Sequence, residues 1–163
     1  MKNMRIKGMM LFLMTALLFF PVKAEAVGIL DTTKEVTLTI SCKDGDRGIA
    51  NAGFEIYQIG GITEAAEIIP NAAFDGRLPK LRELSGSEWR DLTQELCQLT
   101  QGENLAPVDS GYTDENGMLR FPQDGKKLEQ GLYLIVGGSA RQNGYSYTLS
   151  SCLVFKEIIK AAT

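Results

Sequence analysis

The side chains that most often perform enzyme chemistry are scarce in this sequence of 163 residues. It has no histidine, which excludes a histidine general base, a Ser-His or Cys-His nucleophile pair and a histidine-bearing zinc site. Three cysteines remain, Cys42, Cys97 and Cys152, and an odd number allows at most one internal disulfide. The chain therefore offers thiols but no recognisable catalytic group, and we predict that it is not an enzyme.

Two short acidic stretches, DGD at 44–46 and DEN at 114–116, have the oxygens that calcium prefers. A calcium loop needs roughly five or more oxygen ligands at set spacing, and neither stretch supplies them. The glycines at 60–61 lack the Lys-Ser/Thr pair of a phosphate-binding loop. All three patterns are typical of turns, so the sequence predicts no metal site and no cofactor.

The first 26 residues have the three-part layout of a secretory signal peptide. A positively charged start at 2–7 precedes an uncharged stretch at 8–22 and small residues at 24–26. The apolar stretch is short for a membrane span, so an N-terminal anchor is the less favoured alternative. We expect cleavage after Ala26, which leaves 137 secreted residues, the size of one domain.

Cleavage would also change the charge balance. The mature chain would keep 13 of the 17 basic and 19 of the 20 acidic residues, a net charge of −6. An acidic chain without a basic stripe cannot neutralise phosphate, so we expect no nucleic-acid partner. It is equally a poor match for anionic lipid, so we expect no membrane association after cleavage.

Period-two patterns and turn signals predict a mostly β fold. Apolar residues alternate with polar ones over 35–42, and 43–48 has turn composition. Further strand-like runs occupy 53–60, 118–121, 131–138 and 143–155, of which 131–138 is apolar enough to be buried on both faces. Several short strands separated by turns indicate a β-sandwich.

The segment at 61–110 departs from this pattern and predicts one helix, inserted between the second and third strands. Trp89, Leu92, Leu96 and Leu99 fall on one helix face. Ser85 and Glu88 have capping-box spacing, with Gly102 as the stop. Cys97 lies off the apolar stripe, so we expect it to be peripheral. The stripe is one helix face wide, which favours packing on the sheet over partner binding.

The stretch at 113–137 resembles the Thr-Asp-x-x-Gly-x-x-x-Phe … Leu-x-x-Gly-x-Tyr signature of Cna-B-type, or SpaA-like, prealbumin-fold domains. The residues that match this signature are Thr113, Asp114, Gly117, Phe121, Leu128, Gly131 and Tyr133. Upstream, the stretch at 48–59 is similar to a second family motif through Ile49, Ala52, Phe54, Ile56 and Tyr57. Trp89 with its two following leucines, and the closing strand at 145–155, resemble a subgroup found in pilin subunits of Gram-positive bacteria.

The resemblance implies a transthyretin-like β-sandwich that serves as a mechanical or adhesive module on a bacterial surface. The domain would span 35–155, after a short lead at 27–34 and before a tail at 156–163. Two interpretations of this tail stay open, a truncated or degenerate copy of a longer protein or the end of a free secreted module. Its partners would be other pilin or surface-protein subunits, and it would be secreted and cell-wall associated. The alternative is a free secreted module that binds a host protein or carbohydrate through the segment at 61–110. The sorting signal and acceptor lysine of sortase-linked pilins are not visible.

Many relatives contain an internal isopeptide bond between a first-strand lysine and a last-strand Asn or Asp, assisted by a glutamate. The lysine position falls at 40–42, where this chain ends its strand with Cys42, and the glutamate position aligns with Gly137. Lys43 is adjacent but has the opposite strand parity. The last strand has no Asn or Asp, so we predict that no internal isopeptide bond forms.

Family architecture places the first and last strands side by side, which implies a Cys42–Cys152 disulfide as a substitute tie. Strand parity opposes it, because Cys152 has the parity opposite to Tyr145 and Tyr147 while Cys42 faces inward. The two cysteines meet only if a break at 150–151 resets the face. Two interpretations stay open, a disulfide or two unpaired small residues in the core.

Overall fold

The computed structural model describes residues 33–156. The expected signal peptide, most of the lead at 27–34 and all but the first residue of the tail lie outside these residues. The described residues form eleven strands: β1 Leu38–Ser41, β2 Lys43–Asp44, β3 Arg47–Gly48, β4 Gly53–Ile62, β5 Ile68–Pro70, β6 Asp109–Tyr112, β7 Met118–Phe121, β8 Gly131–Gly137, β9 Ser139–Gln142, β10 Tyr145–Thr148 and β11 Cys152–Lys156. Within the same range, one α-helix, α1, spans Gly86–Gly102, and 3-10 turns span Ala72–Phe74 and Leu81–Glu83.

The predicted mostly β class with one helix is confirmed. A five-stranded antiparallel sheet has the order β11-β8-β4-β5, and β6 also pairs with β4. Two-stranded antiparallel sheets form from β1 with β7, β9 with β10, and β2 with β3. The apolar run at 131–138 becomes β8, which is paired on both edges and buried over its first five residues, as the sequence predicts.

The five-stranded sheet separates two hydrophobic clusters because successive side chains of a strand point to opposite faces. Phe54 and Ile56 of β4 and Tyr133 of β8 join β1 and β7 in cluster 1. Tyr57 of β4 and Leu134 of β8 join the helix in cluster 2. The structure thus has three layers: the β1–β7 pair, the five-stranded sheet and the helix. The members of cluster 1 are Val36, Leu38, Ile49, Ala52, Phe54, Ile56, Leu119, Phe121, Leu128, Tyr133, Ile135 and Ala140.

Helix α1 begins and ends where the sequence predicts. The Ser85 side chain accepts a hydrogen bond from the Glu88 N–H, and the Glu88 carboxylate accepts one from the Ser85 N–H. This reciprocal capping box satisfies donors at the helix start that have no partner within the helix. Leu92 and Leu96 are buried in cluster 2, and Trp89 and Leu99 pack partly against it. The helix therefore packs on the sheet rather than presenting its apolar face to solvent.

Several boundaries differ from the predictions. The segment at 43–48 forms the β2–β3 hairpin as well as a turn, and the segment at 61–110 contributes the end of β4, strand β5 and the first half of strand β6. The run at 143–155 divides into β10 and β11. Strands this short have too few residues to show a period-two pattern. Cys97 is not one of the buried members of cluster 2 but packs against it while partly buried, in keeping with the expected peripheral position.

The first and last strands are not hydrogen-bonded neighbours, which corrects what the family resemblance implied. Strand β1 pairs with β7, and β11 pairs with β8. The two strands instead line opposite sides of a cavity of about 520 Å³. Among residues 33–156, no helix has the length and apolar character needed to cross a membrane.

Replacing Leu96 by Ala tests whether cluster 2 holds the helix on the sheet. Leu96 is only 1% exposed, so the truncation should lower the free energy of unfolding by about 2–5 kcal/mol. Urea denaturation followed by circular dichroism measures the change. The neighbouring Glu95→Ala, at an exposed position, should change it by less than about 0.5 kcal/mol. A loss below about 1 kcal/mol for Leu96→Ala would contradict the packing.

Candidate functional site

Thr113, the first residue of the family-like signature, is buried and hydrogen-bonds its own segment to the segment at 49–52. Its Oγ1 accepts a hydrogen bond from the Ala52 N–H at 2.9 Å and donates one to the Ile49 carbonyl at 2.6 Å. The Thr113 backbone also exchanges hydrogen bonds with this segment, through Asn51 and Ala52. The hydroxyl has both a donor and an acceptor as partners, so its role here is to hold the segment that leads into β4.

Asp114 and Gly117 build the tight turn that leads into β7. The Asp114 Oδ1 accepts hydrogen bonds from the backbone N–H groups of Asn116 and Met118 at 2.9 and 2.8 Å. Gly117 has a φ of +75°, and a Cβ there would lie 2.1 Å from the Cys42 carbonyl oxygen. Only glycine accommodates both the left-handed conformation and this approach. Both residues therefore shape the backbone.

The remaining signature residues also serve packing. Phe54, Phe121 and Tyr133 are buried in cluster 1, and the Tyr133 hydroxyl donates to the Glu129 carbonyl at 2.6 Å. Burial, with the nearby Glu129 charge, raises the pKa of Tyr133 to about 12, so the hydroxyl stays a donor at neutral pH. A Cβ on Gly131 would lie 2.2 Å from the carbonyl oxygen of Gly60 on β4, so this position requires the close approach of two strands.

Trp89 contacts the last strand. Its ring lies edge-to-face against Phe155 of β11, with ring centroids 6.0 Å apart. This geometry is favourable for aromatic pairs, and it fixes the start of α1 beside the end of β11. The signature residues from Phe54 to Tyr133, with Trp89, are thus spread through the fold and do not converge on one reactive centre.

Backbone and packing contacts fill the two positions that the resemblance aligned with isopeptide chemistry. A Cβ on Gly137 would lie 2.7 Å from the Cβ of Leu149 and 2.8 Å from its carbonyl oxygen. A glutamate side chain therefore has no room at this position. At the other position, the Cys42 N–H donates to the Gly117 carbonyl and the Cys42 carbonyl accepts from the Ile49 N–H.

The structure contains no Cys42–Cys152 disulfide, because all three cysteines are free thiols. The expected break does occur, since β10 ends at Thr148 and β11 begins at Cys152. It resets the face, so that Cys152 lies opposite Ile135 of cluster 1. Cys42 also packs against cluster 1, and both cysteines line the cavity between β1 and β11. The two cysteines therefore face the same cluster, so strand parity no longer opposes a Cys42–Cys152 disulfide. The structure nevertheless has no such bond.

Asp109 is a buried carboxylate that the sequence analysis missed. Its side chain is fully buried, and it accepts hydrogen bonds from the N–H groups of Ser110 and Gln123 and from Lys126 Nζ at 2.6 Å. Burial alone would raise the pKa of the Asp109 carboxyl, but these hydrogen bonds and the Lys126 charge outweigh it and hold the pKa below its usual value. Lys126 is half exposed and lies 17 positions away in a turn, so no sequence pattern joins them.

Asp109 and Lys126 form an ion pair rather than a reactive pair. Amide formation would need a neutral amine and a protonated carboxyl. Burial favours these neutral forms unless hydrogen bonds or an opposite charge stabilise the charged forms. Here the carboxylate is stabilised in its charged form, and the lysine keeps contact with solvent. In residues 33–156, no three His, Cys, Asp or Glu side chains lie close enough together to hold a metal ion.

Replacing Gly137 by Ala tests the close approach of the loop that follows β10. The new methyl group would collide with Leu149, so the free energy of unfolding should fall by about 1–3 kcal/mol. Gly61→Ala is the matched control, because it lies in the paired strand β4 and a Cβ there meets nothing within 4 Å. Equal stabilities of the two variants in urea denaturation would contradict this account.

The Asp109→Asn substitution tests the ion pair through its pH dependence. The Asp109 pKa is lower in the folded chain than when unfolded, so its stabilising effect is present above about pH 4 and is lost as pH falls through the folded pKa. The variant should be less stable than the parent by about 2 kcal/mol at neutral pH. This gap, measured by denaturation from pH 7 downward, should shrink in acid. A gap that is constant with pH, or present equally for the exposed Asp124→Asn, would refute the ion pair.

Comparison with known proteins does not assign the chain to a family. No protein-family model matches the chain, and no curated protein matches it. The resemblance to Cna-B-type domains therefore rests on the residues named above.

Proposed function

We propose that this chain is a non-catalytic module of the Cna-B, or SpaA-like, type, secreted to the surface of a Gram-positive bacterium. In this role it is a pilin-like or adhesin-like structural domain with a prealbumin-like β-sandwich and no internal isopeptide bond. Its natural partners are other pilin or surface-protein subunits. Its acidic charge does not suit nucleic acid or anionic lipid.

The observation that carries the proposal is the agreement between the signature and its contacts. Thr113, Asp114 and Gly117 each make a contact that specifically requires the side chain found there, or its absence. If the motif matched by chance, we would not expect its three successive residues to have these roles. They are a buried hydroxyl that joins two segments, a carboxylate that caps a turn, and a glycine with positive φ. The packing of the β1–β7 pair over the five-stranded sheet also supports a sandwich.

The loss of the isopeptide machinery agrees with the same proposal. Gly137 is closed to any side chain by Leu149, and Cys42 replaces the lysine position. The module would rely on packing and on its buried polar contacts where relatives rely on a covalent cross-link.

A second candidate function, binding of a host protein or carbohydrate, is favoured by one cavity. It is an open cleft of about 680 Å³ lined largely by the predicted insertion, with Ile68, Leu78 and Leu81 among its apolar residues and Phe155 also on its lining. Binding sites are often concave and apolar with a few polar groups. This cavity supplies the apolar part, and Arg82 and Glu83 lie on its lining.

Expression of the full chain in a Gram-positive secretion host tests the leading proposal. We expect the protein in the medium and wall fractions with its N-terminus at Val27, and immunogold label outside the membrane. A deletion of residues 2–26 should keep the protein inside the cell. Retention of the uncleaved full chain in the cytoplasm would contradict the proposal.

A glycan and matrix-protein array separates the second candidate from the first. A binding module should capture a ligand that the Leu81→Asp variant, altered in the cavity lining, loses. Ile69→Asp is the control, because Ile69 is 61% exposed and does not line this cavity. Capture that is unaffected by both variants, or no capture at all, would count against a binding role for this cavity.

A further inference from the structure

Cys97 and Cys152 both line a further cavity, on the helix side of the edge strand β11. The cavity is an open cleft of about 600 Å³ between helix α1 and the start of β11. Trp89, Thr93 and Cys97 line it from the helix, spaced four residues apart so that they share one side. The segment at 150–153, which contains Cys152, lines it from the strand.

The contact between Trp89 and Phe155 sets the alignment of helix and strand. From Trp89 to Cys97 the helix rises roughly 12 Å over eight residues. From Phe155 back to Cys152 the strand covers roughly 10 Å over three residues. The helix and β11 run in opposite directions along the cavity, since Trp89 lies beside Phe155 and Cys97 lines the same cavity as Cys152. Cys97 is therefore nearly level with Cys152.

The electrostatics of the thiols distinguish Cys97 from Cys42 as a neighbour of Cys152. Burial raises the pKa of the Cys152 thiol, and the charge of Cys97 raises it further. Burial also raises the pKa of Cys42, with no contribution from another cysteine. Because the interaction between charges weakens with distance, Cys97 is the thiol that lies close enough to Cys152 to affect its pKa.

We propose that Cys97 and Cys152 form a disulfide when the protein is oxidised, which ties helix α1 to the edge strand β11 and leaves Cys42 as the unpaired thiol. Cys152 is the exposed first residue of β11, and among the described strands β11 pairs only with β8. Its side chain starts on the Ile135 side of the sheet, so the sulfur must swing around the free edge of β11 to reach Cys97. The segment at 149–151 lies outside any strand but is held by two hydrogen bonds, from the Leu149 N–H to the Gly138 carbonyl and from the Gly137 N–H to the Ser151 Oγ, which this movement must loosen.

The reaction is a thiol–disulfide exchange with a small-molecule disulfide such as oxidised glutathione. The exposed Cys152, as its thiolate, attacks the oxidant and releases one glutathione thiol. The Cys97 thiolate then attacks the Cys152 sulfur of the mixed disulfide and releases the second. Both protein thiols lose their protons, their two electrons reduce the oxidant, and the chain becomes lighter by two hydrogen atoms.

Peptide mapping after oxidation identifies the bond. Trypsin cleavage after lysine and arginine places each cysteine on its own peptide, 35–43, 91–120 and 142–156. The purified chain is oxidised with glutathione disulfide, alkylated and digested without reductant. We expect 91–120 linked to 142–156, with Cys42 alkylated. A peptide pair that contains 35–43, or three alkylated cysteines, would overturn the proposal.

Thermal unfolding of single variants provides an independent readout. The bond closes a long loop, so oxidation should raise Tm on the order of 10 °C. Cys42→Ser should keep this rise, and Cys97→Ser should lose it while its reduced form unfolds near the reduced parent. A rise that survives in Cys97→Ser but disappears in Cys42→Ser would assign the bond to Cys42 and contradict the proposal. This experiment is independent of cellular location, so it fails or succeeds separately from the proposed surface function.

Discussion

The pairing of β4 with β8 is the interaction on which the rest of the structure depends. The register runs from Phe54 opposite Gly137 to Gly61 opposite Gly131, with a bulge between Gln58 and Gly60. Alternate residues of these two strands supply both hydrophobic clusters, so a slip of one residue would exchange the two faces. The carbonyl oxygen of Gly60 approaches Gly131 so closely that only glycine fits there.

Polar side chains attach the outer segments to this central pair. Thr113 fastens the segment at 49–52, and Asp109 fastens the turn that contains Gln123 and Lys126. No buried polar side-chain atom of residues 33–156 lacks a hydrogen-bond partner. Such groups are costly to bury unless they are paired, and here their pairing serves the fold.

The sequence predicted the parts of the fold that local patterns specify. The alternation over 35–42 matches the observed burial, because Val36 and Leu38 are buried while Thr37 and Thr39 are exposed. The capping box at Ser85 and Glu88 needs only residues three apart, and it is present. Strand β5 escaped prediction because it has three residues and forms through its pairing with β4.

The features that were missed depend on how distant elements dock. Asp109 meets Lys126 only because β6 and a later turn are brought together by the sheet. Cys97 was expected to be peripheral because it lies off the apolar stripe. Its place beside β11 follows from the direction in which the helix crosses the sheet, which Trp89 and Phe155 set. The spacing of apolar residues along the helix does not specify in which direction the helix crosses the sheet.

The intact mass of the reduced protein tests the central claim most directly. The account holds that packing and polar contacts hold this module together without a covalent amide cross-link. An isopeptide bond would release one ammonia from a lysine–asparagine pair or one water from a lysine–aspartate pair. The predicted result is a mass equal to the sum of the residues in the recovered chain plus one water. A deficit of one ammonia or one water, retained after full reduction, would contradict it.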